Sequence, residues 1–178
     1  MTALWPAYMT VAGVLGLGGF AKLRAPATAA GTLGALGLRG RPTTARALGA
    51  CELALAGACV AAPRTLPALV LAAAYLAFAG AVLRLRSARP GDGCGCFGDE
   101  SARASLWHFG LNLAAAAVAL AAAASPPPGW PVVAQHPARL ALAVAGVATA
   151  IALAKLAFTA FPAAWRAYGA VPSGGAAR

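Results

Sequence analysis

The sequence predicts an all-α fold, a polytopic transmembrane helical bundle with a four-helix core plus one extra C-terminal transmembrane helix. Of the 178 residues, 61% are hydrophobic and only 10% are charged, whereas soluble domains carry about a quarter charged residues. The apolar residues are concentrated in stretches whose length is close to what a bilayer requires. Because lipid offers no partners for backbone polar groups, such a chain is expected to cross the membrane as helices.

Five apolar stretches are predicted to span the bilayer. In chain order they are Leu4 to Ala21, Ala47 to Ala62, Leu66 to Leu83, Ala104 to Ala124 and Leu140 to Phe161. The weakly apolar residues 25–38 are too few to cross and predict an interfacial or re-entrant helix. Neither a basic segment before the first stretch nor a small-residue cleavage site after it is present, so we expect this stretch to be retained.

The division of the chain into regions follows from a proline-rich break after the fourth span. Residues 1–124 are predicted to form the four-helix membrane domain, and residues 125–138 a Pro-rich linker loop. Residues 139–169 are predicted to form the additional transmembrane helix, and residues 170–178 a disordered tail. Alanine dominates the helices, so close packing of small faces is expected to hold them together.

The strong positive charge does not indicate a nucleic-acid-binding protein. Fourteen Lys and Arg residues stand against four Asp and Glu residues, a formal net charge of +10. Except for Lys155 near the end of the fifth stretch, the basic residues fall outside the apolar stretches and form no single stripe along one helix. At these positions they meet lipid headgroups, which makes the lipid bilayer the expected partner and excludes nucleic acid as a good candidate.

Because successive helices cross the membrane in opposite directions, several ionisable, thiol and polar side chains of the apolar segments and their loops are expected to lie at one end of the bundle. They are Lys22, Cys51, Glu52, the loop around Cys94, His108 and Asn112. Glu52 is the only acidic residue inside an apolar helix, and at that depth it needs a partner, for which Lys22 is the nearest candidate. The pair could fix helix packing or handle protons, and the sequence leaves both open. Cys59 lies two turns, about 12 Å, from Cys51, so these two cannot form a disulfide within one helix.

The loop after the third span carries Cys94 and Cys96 among four glycines, Gly91, Gly93, Gly95 and Gly98. Two thiols one residue apart can interconvert between dithiol and disulfide, and such a small ring favours exchange over stabilisation. There are two alternatives. Cys94 and Cys96 could supply two soft ligands to a metal ion, with His108 or Cys51 as a further ligand, or they could be inert. No four-ligand zinc set can be assembled, so we favour a redox pair and predict no metal site.

His108 and Asn112 are four residues apart near the start of the fourth span and therefore share a helix face. They could line a polar pocket beside Trp107. The alternative, an aromatic belt with hydrogen bonds between helices, is equally compatible with the pattern.

Taken together, these motifs resemble a known family. The stretch from Gly19 to Pro26 closes the first span, Glu52 lies in the second, Cys94-Gly95-Cys96-Phe97-Gly98 follows the third, and Trp107 with Asn112 opens the fourth. In this order they resemble the MauE-type methylamine-utilisation membrane proteins, within the DoxX-like four-helix group. The architecture is also distantly similar to that of the disulfide enzymes of the vitamin K epoxide reductase type.

The resemblance implies a membrane thiol-disulfide relay or maturation factor. It would support disulfide formation or cofactor maturation in an exported client protein of the methylamine dehydrogenase small-subunit type, with a thioredoxin-like extracytoplasmic partner. Cys94 and Cys96 become the expected exchange pair, Cys51 a second thiol, and a quinone the candidate electron acceptor. Lys22, Glu52, His108 and Asn112 are expected to support them.

Two further readings of the chain belong to other functional classes. One is a small-solute or metal-ion carrier, motivated by the carboxylate of Glu52 within the membrane. The other is a non-catalytic membrane assembly chaperone whose small-residue faces bind other helices.

The charge distribution and the resemblance predict different sides of the membrane for the loop with Cys94 and Cys96. Five basic residues lie between the first two spans and four between the third and fourth, which places both connections in the cytoplasm by the positive-inside rule. The resemblance requires the Cys94 loop outside. We expect the extracytoplasmic face of the cell membrane, because Asp92, Asp99 and Glu100 dilute the positive charge of this loop and its expected partner is exported.

Overall fold

The computed structural model describes residues 4–88, 104–129 and 135–161, together with residues 164 and 168. Within these ranges the chain folds into six α-helices. They are α1 (Leu4–Arg24), α2 (Pro26–Ala35), α3 (Pro42–Ala61), α4 (Thr65–Ala88), α5 (Leu106–Ala124) and α6 (Pro137–Thr159). All except α2 are long and apolar enough to cross a membrane, which confirms the predicted polytopic helical bundle. The helix α2 is 10 residues long and falls in the stretch predicted to be too short to cross.

The helix boundaries depend on packing as well as on hydropathy. The helix α3 begins at Pro42, earlier than the predicted start of the second span at Ala47. Its first turns are helical because Pro42 fits the first helical position and Ala45 is buried against α2. Hydropathy could not register this contact, since Arg46 interrupts the apolar pattern.

The helices pack as antiparallel neighbours, α1 along α3 and α4 along α5, while α6 lies against α1 and reaches α5. The main apolar core lies where α1 and α4 begin and α3 and α5 end, and we call this region the packed half. Its buried side chains include those of Trp5, Tyr8, Cys59, Leu71 and Ala119. The opposite end of the bundle, where α1 and α4 end and α5 begins, is called the cavity end.

Candidate functional site

At the cavity end, α1 and α3 approach each other backbone to backbone through two glycines. A Cβ atom added to Gly19 would lie 2.6 Å from the carbonyl oxygen of Gly49, and one added to Gly49 would lie 2.6 Å from the carbonyl oxygen of Gly19. Because real Cβ atoms are not found so close to a backbone oxygen, only glycine allows this spacing at either position. The close approach brings the side chains one turn further along each helix into contact.

Those side chains are Lys22 and Glu52, which form a buried ion pair. The Lys22 Nζ donates to Glu52 Oε2 at 2.8 Å and lies 3.4 Å from the Gly18 carbonyl oxygen. Lys22 is 7% exposed and Glu52 is 4% exposed. The Nζ also lies 5.8 Å from the centroid of the Phe78 ring, a cation–π contact. Lys22 and Glu52 therefore meet, and each compensates the charge of the other.

The second carboxylate oxygen of Glu52 has a different environment. Oε1 is buried and has no hydrogen-bond partner among the residues that the structure describes. Leaving a charged acceptor unsatisfied in the interior is costly, so native proteins generally provide a donor from protein, water or ligand. Glu52 Oε1 thus marks a position where a donor is needed.

Glu52 lines a cavity of about 270 Å³. The walls are almost entirely apolar and come from all six helices, and Phe158 is the contribution of α6. The polar side chains in the lining are those of Lys22, Thr32, Glu52, Tyr75 and Asn112. This arrangement, a small polar group at the base of an apolar space, is typical of sites that bind small molecules.

The other polar groups in the wall are occupied by contacts within the bundle. Tyr75 Oη donates to the Val11 carbonyl oxygen at 2.7 Å, and Asn112 Nδ2 donates to the His108 carbonyl oxygen at 2.7 Å. Asn112 therefore lines this mainly apolar cavity, whereas His108 and Trp107, the other two residues of the predicted polar pocket, do not. Its amide nitrogen is turned to its own helix.

His108 is fully buried but contacts α6 instead of lining the cavity. Its Nε2 lies 2.8 Å from the Phe158 carbonyl oxygen, and its Nδ1 lies 2.8 Å from Ser105 Oγ. A carbonyl oxygen only accepts, so Nε2 carries a proton and donates it. Trp107 Nε1 donates to the neighbouring Ala157 carbonyl oxygen at 2.9 Å. Both residues thus donate hydrogen bonds to carbonyl groups near the end of α6. This favours the interpretation that His108 forms a hydrogen bond between helices.

The cysteines predicted to act together are not all described. Cys94 and Cys96 lie outside the described residues, and their role stays a prediction. Cys51 is exposed on α3, whereas its neighbour Glu52 faces the interior. It lies roughly halfway along the helix, about 14 Å from Pro42 at the usual rise per residue. Cys59 is free and buried in the packed half.

The described helices nevertheless fix where the segment with Cys94 and Cys96 is attached. The chain leaves α4 at Ala88 and enters α5 at Leu106. Leu85, near the end of α4, and Asn112, near the start of α5, both line the cavity. Both attachment points of this segment therefore lie at the cavity end. No group of three or more potential metal ligands occurs within the described ranges.

Neither the cavity nor the contact between Gly19 and Gly49 that positions Lys22 and Glu52 was predicted from the sequence. The only available signal was the glycine-rich end of α1, with Gly16, Gly18 and Gly19 close together. Glycines in a membrane helix often permit close approach, but the sequence does not reveal which partner helix approaches.

Comparison with known protein families identifies a match that covers most of the chain. A family described as methylamine utilisation protein MauE matches residues 1–125. These residues include α1 to α5 and end before α6. Among the curated proteins and the solved structures, no significant match is found.

Proposed function

Because the chain belongs to the MauE family of methylamine utilisation proteins, we propose that it is a membrane-embedded maturation factor that exchanges a disulfide through Cys94 and Cys96. The family assignment implies a role in methylamine utilisation, and the five long apolar helices imply a multi-pass membrane protein. The proposed partner is a thioredoxin-like extracytoplasmic protein. The proposed client is an exported protein of the methylamine dehydrogenase small-subunit type.

The observation that supports this proposal is the attachment of the cysteine-containing segment at the cavity end. Arg84 and Arg86 are exposed near the end of α4, where this segment begins. Nearby guanidinium groups favour the thiolate form, which is the attacking species in exchange. Two thiols in a glycine-rich segment that both leaves and enters the bundle at one end are suited to contact with a protein outside the membrane.

The exchange balances without a further reagent. The thiolate of one cysteine attacks a disulfide sulfur of the partner and releases the other partner sulfur as a thiolate. The second cysteine then attacks the mixed disulfide, which leaves a Cys94–Cys96 disulfide and a reduced partner. Two electrons pass from the pair to the partner, and the two protons of the thiols end on the partner. The reverse sequence carries electrons from the partner to the pair, and the two reduction potentials set the direction.

A redox titration tests this chemistry. The Cys51→Ser/Cys59→Ser variant keeps Cys94 and Cys96 as its only thiols. Purified anaerobically and equilibrated in glutathione and dithiothreitol buffers, it is expected to show a single two-electron transition by thiol trapping and mass spectrometry. The Cys94→Ser/Cys96→Ser variant is the matched control and should show none. A pair that stays reduced across the whole range would refute the exchange.

The side of the membrane is part of the proposal, because a thioredoxin-like extracytoplasmic partner needs Cys94 and Cys96 on the outer face. In whole cells, a membrane-impermeant maleimide is expected to label the Cys51→Ser/Cys59→Ser variant, and the Cys94→Ser/Cys96→Ser variant serves as background. Labelling that appears only after the cells are opened would place the segment in the cytoplasm, as the count of basic residues suggests.

A further inference from the structure

We propose that the cavity at Glu52 binds a lipid-soluble molecule with an apolar body and one neutral hydroxyl or N–H group, which donates a hydrogen bond to Glu52 Oε1. The proposal concerns binding at α1 to α6 and does not depend on thiol exchange at Cys94 and Cys96. It rests on the charge balance, the lining and the opening of the cavity.

The charge balance of the cavity selects a neutral ligand. Lys22 and Glu52 are the only charged residues in the lining that the structure describes, and they form an ion pair at 2.8 Å. An added cation or anion would leave an uncompensated charge in an apolar interior, which is very costly. A neutral donor satisfies Glu52 Oε1 without changing the charge.

The lining selects a ligand with an apolar body. The walls contain the side chains of Val14, Leu15, Leu33, Leu48, Phe78 and Val82. These side chains offer no hydrogen bonds, so each further polar group on the ligand would be buried without a partner. The only acceptor in the lining that is buried without a partner among the described residues is Glu52 Oε1. Glu52 Oε1 is therefore the acceptor that we assign to the donating group of the ligand.

The opening of the cavity points to the bilayer as the source of the ligand. Ala77 lies near the middle of α4, lines the cavity and is exposed. Leu38, after α2, also lines the cavity and is exposed. The cavity thus reaches the outer surface of the bundle between α2 and α4, at a depth where a membrane-spanning helix meets lipid.

A photolabelling experiment tests the site in the full-length protein. The probe is a hexadecanol that carries a diazirine in its chain, and it is added to the protein in phosphatidylcholine liposomes. Labelled peptides are mapped by mass spectrometry. We expect the label on residues that line the cavity, and the methyl ether of the same probe, which cannot donate, should label these residues about tenfold less.

Three variants provide the controls. Ala77→Trp fills the opening, while Gly80→Trp places the same side chain three residues further along α4, where a Cβ meets no atom within 4 Å. The first variant is expected to abolish labelling of the cavity and the second to leave it unchanged. The Lys22→Met/Glu52→Leu variant removes the acceptor without leaving a buried charge, and should reduce labelling by the alcohol to the level of the ether.

Three results in the wild-type chain and the tryptophan variants would overturn the proposal. They are equal labelling in the two tryptophan variants, equal labelling by alcohol and ether in the wild-type chain, and label confined to residues away from the cavity. The Cys94→Ser/Cys96→Ser variant separates this site from the proposed exchange. Retained labelling there supports an independent site, and lost labelling would show that the segment outside the described residues, not Glu52, holds the probe.

Discussion

The helices pack against each other differently at the two ends of the bundle. In the packed half, Trp5, Tyr8 and Leu71 are buried in one cluster with small residues of α5 such as Ala119, and close apolar packing holds the helices together. At the cavity end, α1 and α3 are joined by a buried ion pair beside an open space of about 270 Å³. The difference indicates that close packing in the packed half holds the helices together. The cavity end retains a buried ion pair and an open space, which selection for stability alone would not favour.

The largest effect is expected from breaking the ion pair at the cavity end. Glu52→Leu leaves the Lys22 ammonium group buried without its counter-charge, which should lower the free energy of unfolding by about 3–5 kcal/mol. The Lys22→Met/Glu52→Leu variant removes both charges and should recover most of that loss. Thermal unfolding of the purified protein in nanodiscs measures both changes. An equal loss in the single and double variants would mean that volume, not charge, decides stability here.

The second effect concerns the glycines that bring α1 and α3 together. Gly49→Ala would place a Cβ 2.6 Å from the Gly19 carbonyl oxygen and 3.0 Å from Lys22 Cβ, so the helices must separate. The expected cost is about 1–3 kcal/mol, which is typical of overpacking. Unfolding in nanodiscs again provides the measurement.

The matched control lies on the same helix. Gly57→Ala adds the same methyl group where no atom lies within 4 Å, so the free energy of unfolding should stay within about 0.5 kcal/mol of the wild-type value. If the two alanine variants behave alike, the close approach at Gly19 and Gly49 does not hold the cavity end together.

Comparison of the two ends also shows what the sequence could predict. The five membrane helices follow from composition, because lipid forces long apolar segments into helices. The contact between Lys22 and Glu52 follows from chain alternation and the cost of an isolated charge. Both predictions rest on constraints that act on single segments or pairs.

The cavity could not be predicted in the same way. It depends on six helices meeting at one place, and on a backbone approach at Gly19 that no periodicity encodes. Hydropathy also missed the first turns of α3, because Ala45 is buried by α2 and not by lipid. The division into a four-helix domain and a separate C-terminal helix stays a prediction, although Phe158 of α6 forms part of the cavity wall.

The third effect tests how α6 is held at the cavity end. His108→Leu removes the donor to the Phe158 carbonyl oxygen and the partner of Ser105 Oγ. Loss of these bonds should cost about 1–2 kcal/mol and increase amide hydrogen exchange in the last turn of α6. The control Trp107→Phe removes one exposed hydrogen bond to Ala157 and should have a smaller effect. Unchanged exchange in both variants would show that apolar contacts alone dock α6.

The smallest effect is expected from Cys51→Ser, because the side chain is exposed and makes no described contact that the hydroxyl would lose. The free energy of unfolding should change by less than about 0.5 kcal/mol. Cys59→Ser on the same helix is the counterpart in the packed half, where the residue is fully buried and its thiol lies 3.6 Å from the Pro67 carbonyl oxygen.

A buried hydroxyl at position 59 must find a comparable acceptor, or the free energy of unfolding falls by about 1–3 kcal/mol. Cys59→Ser should therefore be the less stable of the two variants in the same unfolding assay.

A separate comparison tests whether Cys51 takes part in the disulfide exchange. If Cys51 is a second thiol of the exchange, Cys51→Ser slows disulfide transfer to the partner at wild-type stability. Transfer at the wild-type rate would restrict the exchange to Cys94 and Cys96, which is the outcome we expect from the outward position of Cys51 on α3.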